Sequence, residues 1–138
     1  MNVDGCIFCG IVEGRIPSSK IYEDEEVLAF LDIAPLSEGH ILVISKRHYA
    51  KLHQCPPNIL NQIGCCLPKI ASAMVAAVNC DGYNVLCNNG RCAGQLVEHM
   101  HFHIIPRNEG DGLFGRWPAK QYPVGKMEML AAKIRENL

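Results

Sequence analysis

Histidine alternates with apolar residues over seven positions in the last third of the chain. The segment reads His99-Met100-His101-Phe102-His103-Ile104-Ile105 and holds three of the six histidines. In a β-strand, successive side chains point to opposite faces of the sheet. The pattern therefore predicts a strand whose apolar side chains enter a core, while the three histidines share the other face.

The histidine row indicates a functional site rather than a solvated surface. A wet strand face ordinarily carries mixed Lys, Thr or Glu, and three histidines in phase do not fit that composition. Neighbouring side chains on one face of a strand lie about 7 Å apart, and the outer two about twice that. One metal ion is therefore not easily reached by all three imidazoles.

Composition and charge exclude several classes of protein. With 138 residues, 49% of them hydrophobic and 20% charged, the chain predicts a single folded domain over residues 1–138. The formal net charge of -1 provides no basic field for nucleic acid. We expect a cytoplasmic protein with no membrane partner, because the N-terminus lacks a secretory signal pattern and no apolar run reaches about 18 residues.

The pattern along the chain predicts an α+β fold, an antiparallel sheet with flanking helices. Asp4 is a candidate cap for a first helix that Gly14 ends, and Pro68 is expected to kink or divide a second helix. After about residue 107 a polar tail leads to a closing helix. The expected helices cover residues 4–13, 57–79 and 124–137, and the strands 20–22, 27–32, 40–45, 83–87 and 96–106.

Two further segments have spacings that suggest chemistry. Cys6 and Cys9 can both reach one Zn²⁺, but they are only half of a tetrahedral site, and a redox role lacks a thioredoxin-like βαβ context. The loop 88–94, with Gln95 at its end, can offer amide and backbone N–H donors to an anion. The other cysteines are expected to be reduced and to act as small buried apolar residues: Cys55, Cys65, Cys66, Cys80, Cys87 and Cys92.

Together these segments resemble the histidine triad (HIT) superfamily of nucleotide hydrolases and transferases, and within it the Hint-like branch. The resemblance extends from about Cys6 to Arg107. It is carried by the histidine motif and by Cys6-Ile7-Phe8-Cys9, Ile16-Pro17, Ala29-Phe30-Leu31-Asp32-Ile33, Gly39-His40, Lys46-Arg47-His48 and Asn88 to Gln95.

The resemblance implies a HIT-like fold with a purine mononucleotide site. In it His101 attacks the α-phosphorus, His103 contacts the phosphate and His40 supports the triad. Asp32 is then the ribose ligand. Asn88 and Gln95 are implied phosphate ligands, and the apolar slot for the base comprises Ile7, Phe8, Ile11, Phe30, Ile33 and Leu42.

The resemblance also implies a structural zinc ion and a homodimer. At one position this chain differs from the Hint-like pattern in a way that affects the mechanism. Related proteins with the CxxC motif bind zinc at positions that correspond to Cys6, Cys9, His48 and His99. Leu96 occupies a nucleotide-binding position where Hint-like enzymes commonly carry a hydroxyl that helps to protonate the leaving amine. Leucine cannot donate that proton, so it must come from elsewhere.

The activity implied is hydrolysis of purine nucleoside phosphoramidates, with release of an AMP-like product, through a covalent nucleotidyl-histidine. Alternatives at this point are a Fhit-like dinucleoside polyphosphate hydrolase and a zinc-stabilised nucleotide- or partner-binding module with weak catalysis. A third is a zinc hydrolase that uses His99, His101 and His103 with a metal-bound water.

Overall fold

The computed structural model describes residues 3–138, and its centre is a five-stranded antiparallel sheet with a helix against each face. The strands pair in the order β1-β2-β3-β5-β4. This confirms the α+β fold. The elements are α1 Ile7–Val12, β1 Lys20–Glu23, β2 Val27–Leu31, β3 Ile41–Ser45, α2 Pro57–Val78, β4 Gly82–Leu86, β5 His101–Arg107 and α3 Lys126–Arg135.

The central strands are buried on both faces, which explains why β2 and β3 are continuous apolar runs. On one face Ala29 and Val43 join the core under α2. On the other, Phe30 and Leu42 join a smaller core with Phe8 of α1. β5 keeps its predicted alternation, since Phe102 packs against the α2 core and Ile104 enters it, while His101 and His103 lie on the α1 side of the sheet.

α2 is one continuous helix of 22 residues with Pro68 inside it, so the predicted division does not occur. Both halves pack on the same sheet through a common inner face that includes Ile63 and Ile70, and this packing holds them together. By length and composition α2 is apolar enough to cross a membrane. Its inner face instead contributes to the domain core, and it ends at Asn79 in a left-handed conformation (φ 53°).

Two boundaries differ from the sequence prediction in a way that matters for the site. α1 is capped by Cys6 rather than Asp4, since the Cys6 Sγ accepts a hydrogen bond from the Cys9 N–H at 3.5 Å. β5 begins only at His101. The chain just before it is held instead by the Met100 N–H, which donates to the Tyr49 carbonyl at 2.6 Å.

All eight cysteines are free, but the predicted burial of six of them holds only in part. Cys55 and Cys66 are buried, and Cys80 and Cys87 are half-buried. Cys65 on the outer face of α2 and Cys92 in the glycine loop are exposed, because neither residue belongs to the core clusters.

Candidate active site

His99 does not belong to the same strand as His101 and His103, because it precedes the first residue of β5. Its Nε2 lies 2.7 Å from the Ser45 carbonyl, which can only accept a hydrogen bond. Nε2 therefore carries the proton, and Nδ1 keeps its lone pair. That lone pair faces the Sγ atoms of Cys6 at 3.5 Å and Cys9 at 3.7 Å.

A fourth side chain completes a cluster that can hold a metal ion. The Nδ1 of His48 lies 3.5 Å from the Cys9 Sγ, and the four ligand atoms of Cys6, Cys9, His48 and His99 all lie within 4.8 Å of one another. A tetrahedral zinc site with Zn–S of about 2.3 Å and Zn–N of about 2.0 Å has S···N edges of about 3.5 Å. The donor set and spacings therefore fit zinc.

His101 is oriented by the backbone of its neighbour. Its Nδ1 donates to the His99 carbonyl at 2.6 Å, so Nε2 carries the free lone pair. The ring of Phe8, from α1, stands edge-on to the imidazole with centroids 5.2 Å apart. The result is a fixed imidazole whose Nε2 can act as a nucleophile.

A second series of hydrogen bonds determines which ring nitrogen of His103 carries the proton. The Leu36 N–H donates to Nδ1 of His40 at 3.1 Å, so the His40 proton is on Nε2. That Nε2 lies 2.9 Å from Nδ1 of His103 and donates to it, which leaves the His103 proton on Nε2. Within the described residues this buried Nε2 has no hydrogen-bond partner. An unpaired buried donor beside a nucleophile is suited to bind an anion.

Burial keeps these imidazoles neutral at pH 7. It lowers the pKa of His103 to about 4, with the nearby His101 and His40 acting in the same direction. Burial also lowers the pKa of His101 and of His40 below the ordinary value. The lone pair of His101 is therefore available at neutral pH.

The residues predicted for the nucleoside line one cleft of about 100 Å³ between α1 and the end of β2. Asp32 stands in this cleft. One of its carboxylate oxygens accepts from the Ala34 N–H at 2.9 Å, and the other lies 3.8 Å from the His40 Nε2. The predicted apolar lining is all present, namely Ile7, Phe8, Ile11, Phe30, Ile33 and Leu42, with Ile7 and Ile33 on the exposed rim.

The side chain of Gln95 is held by backbone groups of the glycine loop and of the segment after β3. Its buried side chain accepts from the Gly90 N–H at 2.7 Å and donates to the Ala50 carbonyl at 2.7 Å. The Gln95 side chain thus links the glycine loop to the segment after β3, and its role as a phosphate ligand stays a prediction. Gly94, at φ +90°, leaves room for Asn88, because a Cβ there would lie 3.4 Å from the Asn88 amide nitrogen. Leu96 is 89% exposed and lines another cavity together with Ile7 and His48.

Two features of the site could not be predicted from the side-chain pattern of the sequence. The Leu36 N–H that orients His40 is a backbone group, and no side-chain pattern marks it. A cavity of about 250 Å³ beyond His103 is lined by Leu86 and Phe114, among others. Alternation in β4 could have predicted that Leu86 lies beside His103, with which it pairs across β4 and β5. The position of Phe114 could not be predicted, because it depends on how the segment after β5 folds back onto the sheet.

The structure separates the three histidines of the motif. Among the described residues, those placed to hold a metal ion are the Cys6, Cys9, His48 and His99 cluster and a group of Asp32, His40 and His103. Neither contains His101. The alternative in which all three motif histidines ligate one catalytic zinc is therefore contradicted.

Comparisons with known proteins agree with this geometry. Residues 13–110 match the HIT domain. The chain is 44% identical to adenosine 5′-monophosphoramidase HNT1 of Candida albicans, over 96% of this chain and 91% of that protein. A HIT family protein of Bacillus anthracis has a crystal structure that covers 99% of both chains, with a TM-score of 0.92 and 44% identity.

A third similar protein was crystallised with bound zinc. The Zn-bound histidine triad family protein of Mycobacterium smegmatis covers 97% of this chain and 98% of its own, with a TM-score of 0.74 and 37% identity. Fold, motif and sequence identity over nearly the whole length lead to one assignment. The chain belongs to the histidine triad (HIT) family, in its Hint-like branch.

Proposed function

We propose that this protein hydrolyses purine nucleoside 5′-phosphoramidates through a covalent nucleotidyl-His101 intermediate. The observation that carries the proposal is the pairing of a free His101 Nε2 lone pair with the unpartnered Nε2–H of His103. One group is a nucleophile, and the other is a preorganised donor for the charge that develops on the phosphoryl oxygens.

The reaction has two displacements at phosphorus. His101 Nε2 forms a bond to the α-phosphorus while the P–N bond breaks, and the electron pair of the P–N bond leaves with the amine nitrogen, which takes up a proton from solvent water. A water molecule then attacks the phosphorus and gives up a proton to solvent, the electron pair of the N–P bond returns to His101 Nε2, and AMP is released. The carbonyl of His99 stabilises the imidazolium through Nδ1–H during the first step.

Nucleotide recognition completes the proposal. The Asp32 carboxylate is suited to accept from the ribose hydroxyls, and the apolar cleft between α1 and β2 to enclose the base. Asn88 contacts the phosphate from the glycine loop, and Gln95 acts indirectly by holding that loop. The relative from Candida albicans, named an adenosine 5′-monophosphoramidase, supports this substrate class.

The test compares wild-type protein with His101→Asn on adenosine 5′-phosphoramidate, with diadenosine polyphosphates in parallel. We expect turnover of the phosphoramidate by wild type and a loss of at least about a thousandfold in the variant, with AMP affinity within about threefold. Preferred hydrolysis of the diadenosine compounds would assign the chain to the Fhit-like activity. Retained turnover in the variant would reject His101 as nucleophile.

We further propose that the metal held by Cys6, Cys9, His48 and His99 is zinc and that its role is structural. No cluster atom belongs to the nucleophile, and the four residues tie the start of α1 to the segments before β5 and after β3. Zinc there fixes the position of His99, whose carbonyl orients His101.

We propose a single domain over residues 1–138, a homodimer in the cytoplasm, and a purine nucleotide as the ligand rather than nucleic acid or a membrane. The near-neutral charge of -1 supports the absence of nucleic-acid binding. The uncharged edge strand β4, with exposed Tyr83 and Val85, supports self-association.

A further inference from the structure

The segment 33–39, between β2 and β3, is attached to the end of β5 by one side-chain hydrogen bond. The hydroxyl of the half-buried Ser37 donates to the Pro106 carbonyl at 2.7 Å. The pairing of β3 with β5 ends at Ile41 and Ile104, before the chain reaches Pro106. Ser37 therefore joins the segment to β5 beyond the last paired residues of the two strands.

A close approach at Gly39 fixes the same segment a second time. Gly39 has a φ of +89°, and a Cβ at this position would lie 2.8 Å from Cγ1 of Val78 and 3.4 Å from Cγ of Pro106. The first distance is too short for two carbon atoms, so only glycine lets the chain lie this close to the end of α2. The segment is thus held at Ser37 and at Gly39, immediately before His40.

The fixed segment places one backbone donor on His40. The His40 N–H donates to the Ser37 carbonyl at 3.1 Å and closes a turn, in which the Leu36 N–H reaches the Nδ1 of His40 at 3.1 Å. This second hydrogen bond keeps the His40 proton on Nε2, which donates to Nδ1 of His103 at 2.9 Å. The Nε2–H of His103 therefore depends on a backbone group of the segment that Ser37 attaches to β5.

Without the Leu36 donor, the opposite arrangement of protons becomes comparably favourable. His40 would carry its proton on Nδ1 and accept at Nε2, so His103 would donate from Nδ1 and keep a lone pair on Nε2. That lone pair repels phosphoryl oxygens, whereas an N–H stabilises their developing charge. The Asp32 carboxylate lies 3.8 Å from the His40 Nε2, beyond hydrogen-bonding distance, so it does not replace the Leu36 donor.

We propose that Ser37 is a positioning residue for the phosphoryl transfer. Its hydroxyl attaches the segment 33–39 to β5, and a backbone N–H of that segment then selects the tautomers of His40 and His103. The effect on turnover rests on the proposed phosphoramidase function. The tautomers themselves are a property of the nucleotide-free protein.

The first test measures the tautomers directly. Two-bond proton–nitrogen correlation spectra of the protein as purified distinguish an imidazole protonated at Nε2 from one protonated at Nδ1. Wild type should show the Nε2–H form at both His40 and His103. In Ser37→Ala we expect the Nδ1–H form to rise at both rings to at least about half of the molecules, because loss of one neutral hydrogen bond shifts such an equilibrium by up to about tenfold.

Two larger substitutions isolate the hydroxyl from the size of the side chain. Ser37→Thr keeps a hydroxyl that can donate to the Pro106 carbonyl, so it should restore the wild-type spectrum. Ser37→Val has nearly the shape of threonine without the hydroxyl and should behave like Ser37→Ala. Melting temperatures verify that all variants are folded.

The second test separates positioning from a loosened segment. On adenosine 5′-phosphoramidate, Ser37→Ala should lower kcat by the factor by which the Nε2–H population falls, at least about twofold, with a smaller change in KM. The reason is that the His103 donor acts on charge that develops after binding. Loosening alone would instead raise KM by releasing Asp32, whose carboxylate accepts from the Ala34 N–H of the same segment.

The matched control is Asn108→Ala at the same end of the sheet. The Asn108 side chain follows β5 and accepts from the Asp81 N–H at 3.2 Å, so this substitution also removes one hydrogen bond between a side chain and the backbone. It should change neither the spectra nor kcat, because this hydrogen bond does not lead to a histidine.

The outcomes separate the positioning role from the function on which it rests. Unchanged tautomers in Ser37→Ala would overturn the role and would mean that the Asp32 charge alone fixes His40. An equal change in Asn108→Ala, or a raised KM with unchanged kcat in Ser37→Ala, would also overturn it. Wild type that fails to hydrolyse the phosphoramidate would overturn the proposed function, while the spectra still decide whether Ser37 selects the tautomers. Nδ1–H forms that rise in Ser37→Ala and Ser37→Val, but not in Ser37→Thr, would establish that selection.

Discussion

Leu96 is the residue whose chemistry departs most from the Hint-like pattern, and its exposure makes it testable. At 89% exposure it is not part of the core, so replacement by serine should change thermal stability little. If the hydroxyl restores proton delivery, Leu96→Ser should raise turnover about tenfold on phosphoramidates with alkylamine leaving groups. Substrates with an acidic leaving group should hardly respond, since they need no proton.

The matched control is Leu96→Ala, which removes the same apolar surface without supplying a hydroxyl. Steady-state kinetics on both substrate classes are measured for both variants, with melting temperatures. An equal rise in the serine and alanine variants would mean that loss of the leucine side chain, and not the new hydroxyl, raises turnover. A uniform change across substrates would remove the case for a missing proton donor.

Secondary elements with a strong local pattern were predictable, whereas their ends depended on tertiary contacts. The apolar runs predicted β2 and β3, and the alternating pattern predicted that Met100 and Ile104 enter the core. The start of β5 at His101 was not predictable, because it depends on a hydrogen bond from Met100 to the distant Tyr49. The proposed zinc ligands followed from family resemblance, but the hydrogen bond that orients His99 and the contacts of Gln95 with Gly90 and Ala50 required the fold.

The helix α1 is the element whose stability depends most on the proposed metal. Six residues are too few to form a stable helix alone, and two of the four cluster residues lie at its start. Purified protein should therefore carry one zinc per chain, measured by plasma mass spectrometry. Cys9→Ser should lower the melting temperature by about 10 °C or more, with a smaller proportional change in AMP affinity.

The control for this substitution is Cys65→Ser, which makes the same change at an exposed position on α2 and should leave the melting temperature unchanged. Chelation of wild-type protein should reproduce the effect of Cys9→Ser and have no further effect on that variant. Metal-free wild type that melts at the same temperature as the loaded protein would contradict a structural metal.

At the scale of the whole molecule, the two edges of the sheet are not equivalent. β1 is protected against pairing by a register shift and by charged side chains, including Lys20 and Glu23, which form an ion pair. β4 has the sequence Gly-Tyr-Asn-Val-Leu, without a charge, and exposes Tyr83 and Val85. An uncharged edge of this kind is suited to pair with a second copy and to extend the sheet across a dimer.

Sedimentation equilibrium should therefore give twice the chain mass of 15.3 kDa, and a charge introduced on β4 should reduce the measured mass towards that of one chain. Val85→Asp introduces a carboxylate that would lose its hydration when two β4 strands pair. We therefore expect the dissociation constant of the dimer to rise by at least about a hundredfold in this variant. Ile21→Asp is the matched control, because Ile21 on β1 and Val85 on β4 are each 43% exposed. Circular dichroism verifies that both variants are folded. A monomeric wild type, or a dimer that Ile21→Asp dissociates while Val85→Asp leaves it intact, would show that β4 is not the interface.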